Sequence, residues 1–206
     1  MNYLIHACKQ REEYVRQYLI PSMLNQGISA RDIHVYVDDG KGLLQAFMES
    51  GKELAESTWH LQDDVIVSKD FARQTILNNH GIVCGFCNSY SQGKSGIVDI
   101  NDMWYSMPCI RIPNTILQGF IDWLEDNDKY SYYIKTNKHD DLLFKFYLQE
   151  KYSTIKVKNL APNIVNHIDY LLGGSIVNKA RGKDVNTMAR YWQEPELIDD
   201  IERKLR

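Results

Sequence analysis

The run Thr58-Trp59-His60-Leu61-Gln62-Asp63-Asp64-Val65-Ile66-Val67 constrains this chain more than any other stretch. Hydrophobic β-formers flank two adjacent carboxylates, so the segment reads as a buried strand that ends on a pair of like charges. Burying such a pair is costly unless something neutralises it. A divalent cation held by carboxylate oxygens would do so, and in open α/β sheets ligands sit beyond the carboxyl ends of the strands. Asp63 and Asp64 are therefore expected on a binding rim.

The elements around that run alternate. Tyr3 to Ala7 suits an interior strand, and Glu12 opens an amphipathic helix that Pro21 is expected to kink or stop, with Gly27 as its C-terminal cap. Ile33 to Val37 alternates as a second strand and ends on the turn signal Asp38-Asp39-Gly40. Leu43 to Glu56 reads as a helix, Thr58 to Leu61 as the third strand, Asp70 to Asn79 as a helix and Ile82 to Phe86 as a strand. Asn88 to Asp102, rich in Ser, Gly and Asn, reads as a loop over the site. Trp104 to Ile112 is β-like, and Asn114 is expected to cap a helix that runs to Glu125. Asp140-Asp141 begins a helix to Lys151, Ile155 to Val157 reads as the last strand, Gly173-Gly174-Ser175 as a turn and Pro195 to Leu205 as a terminal helix. Strand, helix and strand at this spacing predict an α/β fold: a mainly parallel central sheet with right-handed crossovers, flanked by helices.

At 206 residues and 44% hydrophobic content the chain suits a single domain spanning 1–206. A formal charge of -3 excludes nucleic-acid binding by charge spread over the whole surface, and local basic patches remain open. Nothing approaches the run of about 18 apolar residues that a membrane helix needs, so no membrane segment is expected. Cys8, Cys84, Cys87 and Cys109 fit a reducing compartment. Cys84-Gly85-Phe86-Cys87 has metal-ligand spacing without a second pair, and its apolar setting predicts a packed, inert pair.

Two further acidic pairs, Asp38-Asp39 and Asp140-Asp141, also abut apolar elements where a parallel sheet would gather them along one rim. Read alone, the first suits a turn and the second a helix cap. No Gly-X-Ser-X-Gly elbow and no glycine-rich nucleotide fingerprint is present. A two-carboxylate hydrolase stays conceivable, because nothing in the sequence separates a raised acid from an ionised partner.

In the order and spacing of its short motifs the chain resembles the nucleotide-sugar-dependent glycosyltransferases of the GT-A fold, which is Rossmann-related, and in particular small phage-type members. The motifs are His6-Ala7 with Arg11 and Tyr14-Val15; Leu61-Gln62-Asp63-Asp64-Val65 with Asp70-Phe71; His139-Asp140-Asp141; and Ala161-Pro162-Asn163-Ile164-Val165-Asn166-His167. That resemblance implies a metal-dependent transferase moving a sugar from a nucleoside-diphosphate donor, such as a UDP-sugar, to an acceptor hydroxyl. Asp64 would hold Mn²⁺ or Mg²⁺ beside the diphosphate, with Gln62 in place of the usual first acid of the motif and Asp63 between them. His167, expected in a loop, would be the distant metal ligand. Gly174, Ser175 and Arg181, with Gly173, would wrap the diphosphate. His6, Ala7 and Arg11 would line the base pocket, with Asp38 or Asp39 near the base or ribose. Asp140 or Asp141 would deprotonate the acceptor, as in inverting members.

The acceptor is open between a saccharide or small molecule and a hydroxymethylated pyrimidine in phage DNA. Lys129 to Lys158 carries seven lysines against three acids, with Tyr130, Tyr132, Tyr133, Tyr147 and Tyr152 interleaved, a composition that suits a nucleic-acid backbone and stacked bases but equally a solvated helix face. A cytoplasmic protein is expected, in the bacterial host's cytoplasm if phage-encoded. The rival reading is a non-catalytic nucleotide- or DNA-binding module on the same fold, favoured by Gln62.

Overall fold

The computed structural model describes residues 1–53, 57–87, 96–99, 107–136, 140–152, 154–174, 189 and 191–206. Its strands are β1 (Asn2–Cys8), β2 (Ile33–Asp38), β3 (Thr58–Gln62), β4 (Val65–Val67), β5 (Ile82–Cys84), β6 (Gly96–Asp99), β7 (Cys109–Ile112), β8 (Lys156–Asn159) and β9 (Val165–His167). The helices are α1, a continuous run of Glu12–Tyr14, Val15–Leu19 in π geometry and Ile20–Leu24, then α2 (Leu43–Glu53), α3 (Phe71–Leu77), α4 (Asn114–Glu125), α5 (Ser131–Thr136), α6 (Asp140–Lys151) and α7 (Pro195–Leu205).

Seven strands form the central sheet in the order β2-β1-β3-β7-β5-β8-β6. β1 pairs parallel with β2 and β3, and β5 pairs parallel with β8. β7 runs antiparallel between β3 and β5, and β6 is antiparallel to β8, so five of the seven strands point one way. The expected mainly parallel α/β sheet, flanked by helices, is what the chain forms.

Alternation along the strands divides the core into two layers. Tyr3, Ile5 and Ala7 of β1, with Trp59 and Leu61 of β3, face Val15, Leu19 and Met23 of α1. Ile110 and Ile112 of β7 and Val157 of β8 face the other way, toward Phe47, Phe120 and Phe144 of α2, α4 and α6. With both faces covered, the carboxyl edge of the parallel strands is left as the place where polar side chains collect.

Four local expectations are corrected. Pro21 neither stops nor sharply breaks α1: the Ile20 N–H reaches back to the Val15 carbonyl, and this wider π turn absorbs the donor that proline lacks. Gly96–Asp99, inside the expected loop, is an edge strand, because Ile97 and Val98 are β-formers lying beside β8. Asn114 is the first helical residue of α4, and Pro113 holds the cap position. His167 is on a strand: β9 pairs antiparallel with β4 in a separate two-stranded sheet, Val65 opposite His167.

Gly85 fixes where that small sheet docks. A Cβ there would meet Ile164 Cγ1 at 2.7 Å and Cys109 Sγ at 2.9 Å, and its carbonyl accepts the Ile164 N–H at 3.0 Å. Only glycine lets the segment leading into β9 lie so close to the central sheet. Cys84 and Cys87 are buried thiols outside any disulfide, as expected of a packed pair.

Candidate active site

β1 and β3 run parallel and in register, His6 beside Gln62, so the residues that follow each strand meet at the rim. β1 leads into the 3₁₀ turn Lys9–Arg11, and β3 into the turn at Asp63-Asp64. The Cys8 N–H donates to Asp63 Oδ2 at 2.6 Å. Arg11, only 7% exposed, donates through one guanidinium nitrogen to Asp63 Oδ1 at 3.0 Å and to Asp64 Oδ2, and through the other to the Gly174 carbonyl at 3.0 Å. The acidic pair is thus neutralised first by an arginine from the neighbouring strand's loop.

His167 supplies the second cation. The Val65–His167 pairing brings its Nε2 to 3.0 Å from Asp64 Oδ1, and the Ile168 N–H donates to the Asp64 carbonyl at 2.8 Å. On the other side of the ring, Nδ1 lies 3.4 Å from Asp169 Oδ1. Burial opposes a charge on this ring, but the Asp64 and Asp169 carboxylates outweigh it and push His167 up to about 10. Burial likewise works against the charge on Asp64, yet His167 and Arg11 hold it well below the usual carboxylate range. Asp63 is pushed upward by burial and by the Asp64 charge, partly offset by Arg11.

The expected site residues fall into three groups. Arg11, Asp63, Asp64, His167 and Gly174 converge. His6 and Ala7 lie beneath the rim: Ala7 is core, and His6 stacks on Phe47 and His60 with its Nε2 3.1 Å from His60 Nδ1. Burial pushes His6 down to about 4, so the ring is neutral. Asp38 spends its carboxylate on the N–H groups of Gly40, Lys41 and Gly42, at 2.8–3.2 Å, which leaves the exposed Asp39 as the freer of that pair. Gln62 is half-buried at the end of β3. Ser175, Arg181 and His139 lie outside the described residues.

Asp140 and Asp141 open α6, which returns through a short link to β8 and so descends from the rim side of the sheet. Asp141 Oδ1 accepts the Leu142 N–H at 2.7 Å, a helix-terminal role. Asp140 is half-buried, and burial pushes it up to about 6, against the helix N–H groups that favour its charge. A carboxylate poised there is a better proton acceptor than an ordinary aspartate and is still ionised at neutral pH.

Of the tyrosines in the basic segment, Tyr132 is exposed, whereas Tyr147 belongs to the core, with Tyr130, Tyr133 and Tyr152 packed against it. Lys129 pairs with Glu150, and Lys158 donates to Asn78. The aromatic interleaving is mainly packing.

Sequence reasoning missed Asp169, which is 1% exposed, and Asn166, whose Oδ1 accepts the N–H groups of His167 and Ala189 at 2.9 and 2.8 Å. Asp169 lies in the turn just beyond β9, two residues after His167, where no strand period marks it in the sequence.

Asp64 and His167 present one oxygen and one ring nitrogen to a hard divalent cation. Asp64 Oδ1 is buried and faces the His167 ring. Its 3.0 Å separation from His167 Nε2 is about what two adjacent ligands have around an octahedral ion at about 2.1 Å. Oxygen and imidazole nitrogen both suit Mn²⁺. Among the described residues no three acid, histidine or cysteine side chains surround one point, so the protein would contribute two ligands and a bound anion or water the rest.

No protein-family model matches the chain, and no curated protein matches its sequence. Among solved structures, it is similar in outline to a Bacillus anthracis protein assigned as a glucose-1-phosphate thymidylyltransferase and crystallised with sucrose, at 9% identity and a TM-score of 0.49, over 90% of this chain and 96% of that one. A CTP:phosphocholine cytidylyltransferase from Streptococcus pneumoniae matches at 10% identity and 0.48, over 88% and 97%. A UDP-glucose pyrophosphorylase from Acinetobacter matches at 9% and 0.41, over 87% and 75%. By their names these three are nucleotidyltransferases. Likeness at this level carries no argument about what this chain does.

Proposed function

We propose that the protein is a nucleotide-sugar-dependent glycosyltransferase whose donor diphosphate binds at the carboxyl rim beside Asp64 and His167. One observation carries the reading: Asp64 Oδ1 and His167 Nε2, both buried, lie 3.0 Å apart on the edge where open α/β sheets bind ligands, and a cation held between them would take the place of the His167 proton. Mn²⁺ or Mg²⁺ held by these two side chains would act as a Lewis acid, offsetting charge that grows on the leaving diphosphate.

The chain's own residues supply the rest. Arg11 holds the acidic pair in one orientation and ties it to the Gly174 carbonyl, so the β1 loop, the β3 turn and the Gly173-Gly174 turn share a hub. Positive φ at Gly173 and Gly174 lets the backbone approach an anion closely. Asp140 takes the proton of the acceptor hydroxyl as it attacks the anomeric carbon, which gives inversion. Asp141 fixes the first turn of α6.

The acceptor is a hydroxyl, with a saccharide and the hydroxymethylated pyrimidine of phage DNA as the two to be assayed. The test is release of nucleoside diphosphate from a panel of nucleotide sugars with Mn²⁺, with each acceptor and without. Turnover lost in Asp64→Asn supports the proposal, and turnover unchanged in that variant removes it. Binding without any donor hydrolysis would mark a non-catalytic module, and pyrophosphate released from a nucleoside triphosphate would mark a nucleotidyltransferase instead.

A further inference from the structure

A carboxylate that is 1% exposed must be compensated, and Asp169 has one cation in contact among the described residues, the His167 ring. The 3.4 Å between Asp169 Oδ1 and His167 Nδ1 is ion-pair range, and neither atom has a hydrogen-bond partner among the described residues. The two facing unsatisfied atoms are therefore each other's natural partners. Asp169 is also anchored through its backbone: its carbonyl accepts the N–H groups of Leu172 and Gly174 at 3.1 and 2.7 Å. The same Gly174 returns its own carbonyl to Arg11.

We propose that Asp169 is a positioning residue: its buried carboxylate holds the Nδ1 side of the His167 ring and so turns Nε2 toward Asp64, a role that rests on reading Asp64 and His167 as the cation pair. A ring held on one nitrogen presents the other with a fixed direction, which is how a carboxylate behind a ligating histidine raises its affinity for a metal. Without Asp169 the ring can rotate, and Nε2 loses its aim although Asp64 is unchanged.

Two measurements decide it. Long-range ¹H–¹⁵N spectra of the unsubstituted protein, metal-free and with Mg²⁺, are expected to show a proton on Nδ1 of His167. A bare Nδ1 overturns the proposal and requires no variant. Mn²⁺ alone, titrated by electron paramagnetic resonance into the parent protein and Asp169→Asn, is expected to bind at least tenfold more weakly to the variant while the circular dichroism spectrum is retained. Equal affinity overturns it. If the parent binds no Mn²⁺, an Nδ1 resonance that moves in Asp169→Asn upholds the positioning role and removes only the metal reading, whereas a resonance that does not move removes both.

Discussion

Asp64 Oδ1 lies 3.0 Å from His167 Nε2 because Val65 and His167 are cross-strand partners in a two-stranded sheet docked at the rim of the main one. That contact has a cost if one partner goes. Asp64 pairs with both Arg11 and His167, so removing it breaks two buried ion pairs and leaves each cation with one remaining carboxylate, Asp63 or Asp169. Asp64→Ala is expected to abolish transfer and to destabilise the fold by about 3–5 kcal/mol, the usual penalty for one half of a buried ion pair. Asp64→Asn keeps the shape and is the better separator of activity from stability. Urea unfolding beside donor turnover checks both, and a variant as stable as the parent would contradict the ion-pair account.

Arg11 bridges Asp63, Asp64 and the Gly174 carbonyl with a planar fork, a geometry that an ammonium cannot copy. Arg11→Lys preserves the charge but cannot reach all three acceptors at once. It is expected to lower stability by about 1–3 kcal/mol and to weaken nucleoside-diphosphate binding. Thermal melting and calorimetric titration with UDP and Mn²⁺ measure the two effects. A lysine variant that matched arginine in both would show that only charge matters at this position.

Much of this arrangement was legible in the sequence, for a physical reason. The buried pair Asp63-Asp64 required compensation, and the alternation of strands and helices located it on the rim. What the residues did not reveal was the identity of the compensating groups. A divalent cation was the expected neutraliser, yet Arg11 and His167 already supply two positive charges to the acids around them. The second sheet was hidden for a different reason: Val65–Val67 and Val165–His167 are three-residue strands, too short to show a period, and their pairing is long-range. His6 illustrates the limit of reasoning from strand ends alone. It stands near the carboxyl end of β1, but its side of the pleat points into the layer beneath α2, where it stacks on Phe47.

Asp140 and Asp141 are adjacent in sequence and differ in what their carboxylates do, so their variants should differ. Asp141→Asn removes the charge beside the Leu142 N–H and is expected to cost about 1 kcal/mol of stability with modest loss of rate. Asp140→Asn is expected to lower kcat by 10²-fold or more with donor affinity unchanged, the scale of a lost general base. The base must be ionised to work, so in the parent kcat/KM should rise with pH through about 6, where burial holds Asp140. A rate profile flat from pH 5 to 8 would exclude Asp140 from proton transfer.

Stability should fall on both sides of neutral pH, for opposite reasons. His167 is raised in the folded protein to about 10 by the Asp64 and Asp169 carboxylates, which outweigh its burial, from about 6.5 in the unfolded chain. Its contribution is whole below about pH 6.5 and is lost as the pH climbs toward 10. His6 is depressed to about 4 by burial, and His60 is depressed by burial and by the neighbouring His6 ring. These two contribute nothing unfavourable above about pH 6.5, but below it the unfolded chain takes up protons that the folded core refuses. His6 alone would withdraw on the order of 3 kcal/mol between about pH 6.5 and 4. Urea midpoints measured from pH 4 to 10 should therefore form a dome. His167→Gln should flatten its alkaline side and leave the acid side standing; an alkaline limb of the same slope in that variant would mean that His167 is not the cation that balances Asp64.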